Sequence, residues 1–99
     1  MAKFHLSKKA VDDLTEIWEY TYDEWSEKQA DNYYHFLLKI CQELAENPTS
    51  GKRYTEIGID ILGYLANKHI IFYQITSKNE ITIIRILHGS MDLKSRMED

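Results

Sequence analysis

The sequence predicts an α+β domain: an N-terminal strand, a helical hairpin, a three-stranded antiparallel meander packed on the helices, and a short C-terminal helix or tail. Three observations point there. Apolar residues recur at three- and four-residue steps in two stretches between residues 8 and 46, the period of amphipathic helices. Two later runs, 68–75 and 80–87, are dense in β-branched and aromatic residues and are separated by Thr76-Ser77-Lys78-Asn79, which marks a hairpin. The 99 residues suffice for one domain spanning 1–99, and such a domain buries only about 60–65 % of its unfolded surface, so its core must be simple.

Lys3 to Leu6 is a short strand, and Ser7 is an N-cap whose hydroxyl can accept from an unpaired amide in the first turn of a helix starting near Lys8. Ala10, Leu14, Ile17, Trp18, Thr21 and Trp25 mark the apolar face of this helix. Asp12, Asp13, Glu16, Glu19 and Asp23 make an acidic outer face. Ser26-Glu27-Lys28-Gln29 has capping-box spacing and starts a second helix with Ala30, Tyr33, Tyr34, Leu37, Ile40, Cys41 and Leu44 on one face. Asn47-Pro48 ends it, because a residue preceding proline avoids the α region. Residues 49–53 read as a polar connection, and strands are expected near 61–66, 68–76 and 80–87. Trp18 and Leu37 are expected to be buried between helices and sheet.

Composition excludes several classes of function. Cys41 is the single cysteine, on an apolar helical face, so it reads as a small buried hydrophobe. His5, His35, His69 and His88 are dispersed, and no metal site, cofactor or catalytic set is expected. Gly51, Gly58, Gly63 and Gly89 lie too far apart for a phosphate-binding loop. No apolar stretch resembles a secretion signal or a membrane span, which predicts a soluble, cytoplasmic protein. The formal net charge of −4 argues against binding nucleic acid unaided. Charge is unevenly spread: residues 1–49 carry five basic and ten acidic side chains, residues 50–99 seven and six.

Four side chains cluster in sequence where the last strand hands over to the tail: Arg85, His88, Met91 and Leu93. Arg85 should leave the sheet on the face opposite Ile84 and Ile86, either to pair with a helix carboxylate or to make a functional contact. His88, beside Gly89 and Asp92, reads as a strand-end cap or a contact residue. The aromatic residues Trp18, Tyr20, Tyr22, Tyr33 and Tyr34 are anchors for a partner helix wherever they are not core, and Tyr20 and Tyr22 lie off the main apolar stripe.

In order along the chain, Leu6-Ser7, Ala10, Asp13-Leu14, Ile17-Trp18, Gln29-Ala30, Tyr33, Leu44-Ala45, Pro48, Gly51, His69-Ile70-Ile71-Phe72-Tyr73, Ile84-Arg85-Ile86-Leu87-His88 and Asp92 resemble the ParE branch of the RelE/ParE superfamily of bacterial toxins. The likeness covers nearly the whole chain. It implies a toxin of a type II toxin–antitoxin system that inhibits DNA gyrase by trapping its cleaved-DNA complex, and that a ParD-like antitoxin neutralises in a hetero-oligomer. By that resemblance the toxin is not an enzyme. Arg85, His88, Met91 and Leu93 are then the candidate gyrase contacts, and the five aromatics the candidate antitoxin contacts. Two departures stand out: residues 61–67 lack the arginine common in that strand of the family, and the chain is acidic. The alternatives are a RelE-like ribosome-dependent mRNA interferase, with Lys52, Arg53, His69, Arg85 and His88 as its scattered candidates, and a non-toxic module that only complexes its antitoxin.

Overall fold

The computed structural model describes residues 1–90 and 92–97. Along the chain it contains β1 (Lys3–Leu6), α1 (Lys8–Glu24), α2 (Glu27–Glu46), a 3-10 turn (Pro48–Ser50), β2 (Lys52–Arg53), β3 (Leu62–Ala66), β4 (His69–Ser77), β5 (Glu80–His88) and α3 (Leu93–Met97). The strands form one sheet in the order β1-β5-β4-β3-β2. β1 runs parallel to β5, with Lys3 opposite Glu80 and Leu6 opposite Ile83, and the other pairs are antiparallel. The sheet therefore holds five strands, since β1 joins it and part of the expected polar connection is β2.

Local chemistry starts each helix. Ser7 Oγ accepts from the Ala10 N–H at 3.0 Å and donates to the Ile84 carbonyl at 2.7 Å, so one hydroxyl caps α1 and pins it to β5. Ser26 Oγ accepts from the Gln29 N–H at 3.1 Å and caps α2. The β3–β4 turn is the pair Asn67-Lys68, where Asn67 takes a φ of 59°, a left-handed conformation that asparagine tolerates.

The core has two faces because β4 alternates. Ile71 and Tyr73 join Leu14, Leu37, Cys41, Leu44, Ile81, Ile83 and Ile86 under the helical hairpin. Ile70 and Phe72 join Leu87 on the other face, covered by Tyr54, Ile57, Ile61, Leu93 and Met97. The expected single-sided packing is thus incomplete, since the 54–61 loop and α3 roof the second face. Leu37 is fully buried, as is Cys41, whose thiol burial pushes up to about 12. Tyr73 ties the 3-10 turn to the sheet: its hydroxyl donates to the Pro48 carbonyl at 2.7 Å and accepts from the Gly51 N–H at 2.9 Å. A Cβ at Gly51 would fall 2.5 Å from that hydroxyl, so only glycine fits without a shift.

Three expectations about α1 need correction. Asp13 is buried, not on the acidic outer face. Trp18 is only half-buried and contributes to neither core cluster; its indole N–H donates to Asp31 Oδ1 at 2.9 Å. Trp25 is 71 % exposed and caps the helix end. The cause is length: α1 runs about 25 Å at 1.5 Å per residue, and its buried residues all lie in its first half. The second half has α2 rather than the sheet as its neighbour. No helix among the described residues is long and apolar enough to cross a membrane.

Candidate functional site

At the end of β5 the structure assembles residues that the sequence leaves scattered. A register shift between Phe72 and Tyr73 sets Phe72 opposite Arg85 and Tyr73 opposite Ile83, so Ile84 has no counterpart on β4 and strict alternation breaks. Arg85 therefore does not project to a free surface. It is 6 % exposed, as is Asp13, and the two form a forked pair, Nε to Oδ2 at 2.9 Å and Nη2 to Oδ1 at 3.0 Å. Asp13 Oδ2 also accepts the Ile86 N–H at 3.0 Å, on a stretch of β5 beyond the end of β1. A helix carboxylate thus stands in for the missing ladder partner. The third arm of the fork, Nη1, donates to the Arg96 carbonyl in α3 at 2.6 Å.

His88 and His69 face each other across β5 and β4, their rings 5.4 Å apart and nearly perpendicular. Ser90 N–H donates to His88 Nδ1 at 3.1 Å, and Ser90 Oγ lies 2.7 Å from the same atom. A main-chain N–H can only donate, so this Nδ1 is an acceptor and the neutral ring carries its proton on Nε2. His88 is thereby the strand-end cap that its position suggests. The Tyr33 hydroxyl of α2 sits 2.7 Å from His69 Nδ1. Burial, and then the neighbouring His88, lower the His69 pKa to about 4, while burial raises that of Tyr33. No group of three or more potential metal ligands exists among the described residues.

The remaining strand-end candidates divide. Leu93 is half-buried against Ile70, Phe72 and Leu87, and Met91 lies outside the described residues. Around them Gly89, Ser90, Asp92, Lys94, Ser95 and Arg96 are exposed. Lys52 and Arg53 lie on β2, three strands from β5, which is about 14 Å at the usual strand spacing. The five interferase candidates therefore do not converge.

The aromatic candidates also fall into groups. Trp18 and Tyr22 stack at 5.2 Å on one side of α1, and Tyr22 is 48 % exposed. Tyr20, 64 % exposed, points elsewhere around the helix because two residues turn it through roughly 200°. Tyr33 stacks on Phe36 at 5.7 Å and reaches back to His69. Tyr34 packs partly against the core. Sequence reasoning missed Asp13 and the His69–His88 pairing. The second depends on a two-residue turn at Lys78-Asn79, where the sequence suggests four loop residues, and on two register shifts in the β4–β5 ladder.

Residues 4–93 match the family described as ParE toxin of type II toxin-antitoxin system, parDE. The chain is 35 % identical over 92 residues to Toxin ParE1 of Mycobacterium tuberculosis strain H37Rv, covering 93 % of this chain and 94 % of that one. It is 30 % identical over 97 residues to Toxin ParE1 of Caulobacter vibrioides, covering 98 % and 99 %. Among solved structures, a chain of the chromosomal ParDE TA system from P. aeruginosa shares the fold with a TM-score of 0.75 at 16 % identity, covering 89 % of this chain and 96 % of that one.

Proposed function

The chain belongs to the ParE toxin family, the toxin side of type II toxin–antitoxin systems, and from that premise we infer that it acts in the cytoplasm by binding DNA gyrase rather than by catalysis. One observation supports binding over catalysis above all: the cation best suited to hold a phosphate at the strand end, Arg85, is buried on Asp13. The two histidines His69 and His88 are engaged with Tyr33 and Ser90. An interferase needs a base, an acid and an accessible cation around one phosphodiester. The tail, with exposed Gly89, Ser90, Asp92, Lys94, Ser95 and Arg96 and half-buried Leu93, is the face proposed for the target, and Met91 is proposed with them from its place in the sequence.

The partner on this reading is a ParD-like antitoxin with a disordered segment that folds on the toxin. Two surfaces suit it. One side of the helical hairpin presents Tyr22 and Trp25, with Tyr20 exposed on another side of α1. The edge of β3 is uncovered from Tyr64 to Ala66, because β2 pairs only with Leu62 and Gly63, and Leu65 there is 63 % exposed. An amphipathic helix suits the first and an added strand the second.

The deciding experiment incubates purified protein with gyrase and plasmid. Accumulation of cleaved DNA, suppressed by the antitoxin, is the expected result. Degradation of translated messenger RNA without a gyrase effect would move the protein to the interferase branch, and binding of an antitoxin with neither activity would leave a non-toxic module.

A further inference from the structure

We propose that Arg85 is a positioning residue that clamps the C-terminal helix to the frame of the domain. The proposal rests on the reading that the tail faces the target. α3 has five residues, far below the ~12–15 that make an isolated helix even marginal in water, so something else must hold it. Half of that hold is apolar: Leu93 and Met97 lie against Ile70, Phe72 and Leu87. The other half is polar and comes from Arg85, whose Nη1 donates at 2.6 Å to the Arg96 carbonyl. That carbonyl lies in the last turn, where carbonyls lack an intrahelical partner and a cation is favoured.

The geometry transmits rigidity from α1 to the tail. Asp13 sits in α1 and is held by the Ile86 N–H at 3.0 Å, so its carboxylate is fixed to helix and strand together. Nε and Nη2 of Arg85 grip both carboxylate oxygens, which sets the plane of the guanidinium and aims Nη1 at α3. A pair needed only for the core would be complete with the two bonds to Asp13. The third bond leaves the core and reaches the chain 11 residues on. A lysine at 85 could answer the charge of Asp13, but a point charge cannot hold the carboxylate and the distant carbonyl in one plane.

The test uses the full chain, with Arg85→Lys as the main variant and Asp13→Asn as a second one. The amide introduced by Asp13→Asn retains an oxygen for the Ile86 N–H but loses the carboxylate charge. Trypsin cleavage is followed by mass spectrometry after Lys94 and Arg96 in the tail and after Lys28 and Lys39 in α2. In Arg85→Lys, tail cleavage should accelerate roughly 10- to 100-fold, the change in opening equilibrium expected for losing one hydrogen bond from a charged donor, while α2 cleavage stays unchanged. Asp13→Asn sets an amide donor against the Nη2 donor and leaves the guanidinium without its counter-charge, so it too should accelerate tail cleavage. Tail cleavage at the parental rate in folded Arg85→Lys overturns the clamp, and so does acceleration equal at all four sites, which would mark a residue that supports only the global fold. Gyrase-dependent DNA cleavage is measured on the same samples. A released tail with gyrase inhibition intact supports the clamp and counts against the tail as the target surface, so the two ideas fail separately.

Discussion

The Tyr33 hydroxyl and His69 Nδ1 meet at 2.7 Å, joining the second turn of α2 to the first residue of β4 at a half-buried point where His88 closes the other side. His69 is partly buried at this point, and its burial has a consequence for stability. The His69 pKa is lowered to about 4 from 6.5, first by burial and then by His88. Between those two values the unfolded chain takes up a proton that the folded chain refuses. The stabilisation is thus complete above about pH 6.5 and is lost progressively as pH falls toward 4. Urea unfolding midpoints at pH 7.5 and 4.5 should differ more in the parent than in His69→Gln. Glu80, held below its ordinary range mainly by the His5 hydrogen bond, is present in parent and variant alike, so its contribution cancels in the comparison. Equal pH dependence of parent and variant would dismiss the account.

Core packing predicts a contrast between two large residues that the sequence places in the same interface. Leu37→Ala should cost about 2–5 kcal/mol, since the side chain is fully buried among β4, β5 and both helices. Trp18→Phe should cost about 1 kcal/mol or less, because its hydrogen bond to Asp31 is exposed and its stacking on Tyr22 survives in part. Chemical denaturation with an unchanged slope checks both values. A larger loss at Trp18 than at Leu37 would contradict the layer assignment.

Tyr73→Phe isolates a hydroxyl that serves two main-chain groups. It removes the acceptor of the Gly51 N–H and the donor to the Pro48 carbonyl in a fully buried ring, with an expected cost of about 1–3 kcal/mol. Hydrogen exchange at residues 48–53 should quicken more than elsewhere. Uniform quickening across the sheet would show that the hydroxyl does not act through this turn.

For the antitoxin, alanine at Tyr22 or Trp25 should lower affinity at least tenfold with little change in melting temperature, since Trp25 is largely in water and Tyr22 about half so. Leu65→Lys should block strand addition at the β3 edge. Isothermal titration of the parent should show a strongly negative heat-capacity change from coupled folding. If all three variants bind as the parent does, the antitoxin sits elsewhere.

At the tail, alanine at Met91 should weaken gyrase inhibition while leaving folding nearly intact, Leu93→Ala should weaken it together with the packing of α3, and a chain ending at Gly89 should lose it. Plasmid cleavage assays compare them directly. Full inhibition by the shortened chain would remove the tail from the target surface.

Much of this molecule was readable from local pattern. Ser7 and Ser26 cap helices because a hydroxyl and an amide three residues apart meet whatever the rest of the chain does. The apolar periods of residues 8–46 and the alternation in β4 likewise reflect helix and strand geometry alone, and the family resemblance rests on the order of these same residues. What local pattern could not decide was the fate of groups whose partners lie far along the chain. Asp13 looks like one more carboxylate on an acidic helix, and only the register of β1 against β5 leaves the Ile86 amide uncovered beside it. Arg85 looks like an outward strand residue, and only the shift at Ile84 and the position of α1 turn it into a buried fork 72 residues from its partner. Trp18 lies on the apolar stripe, yet the second half of α1 meets α2 instead of the sheet. Periodicity reports which residues share a face. Which face meets which, and which polar groups must then find each other out of water, depends on distances set by the assembled layers.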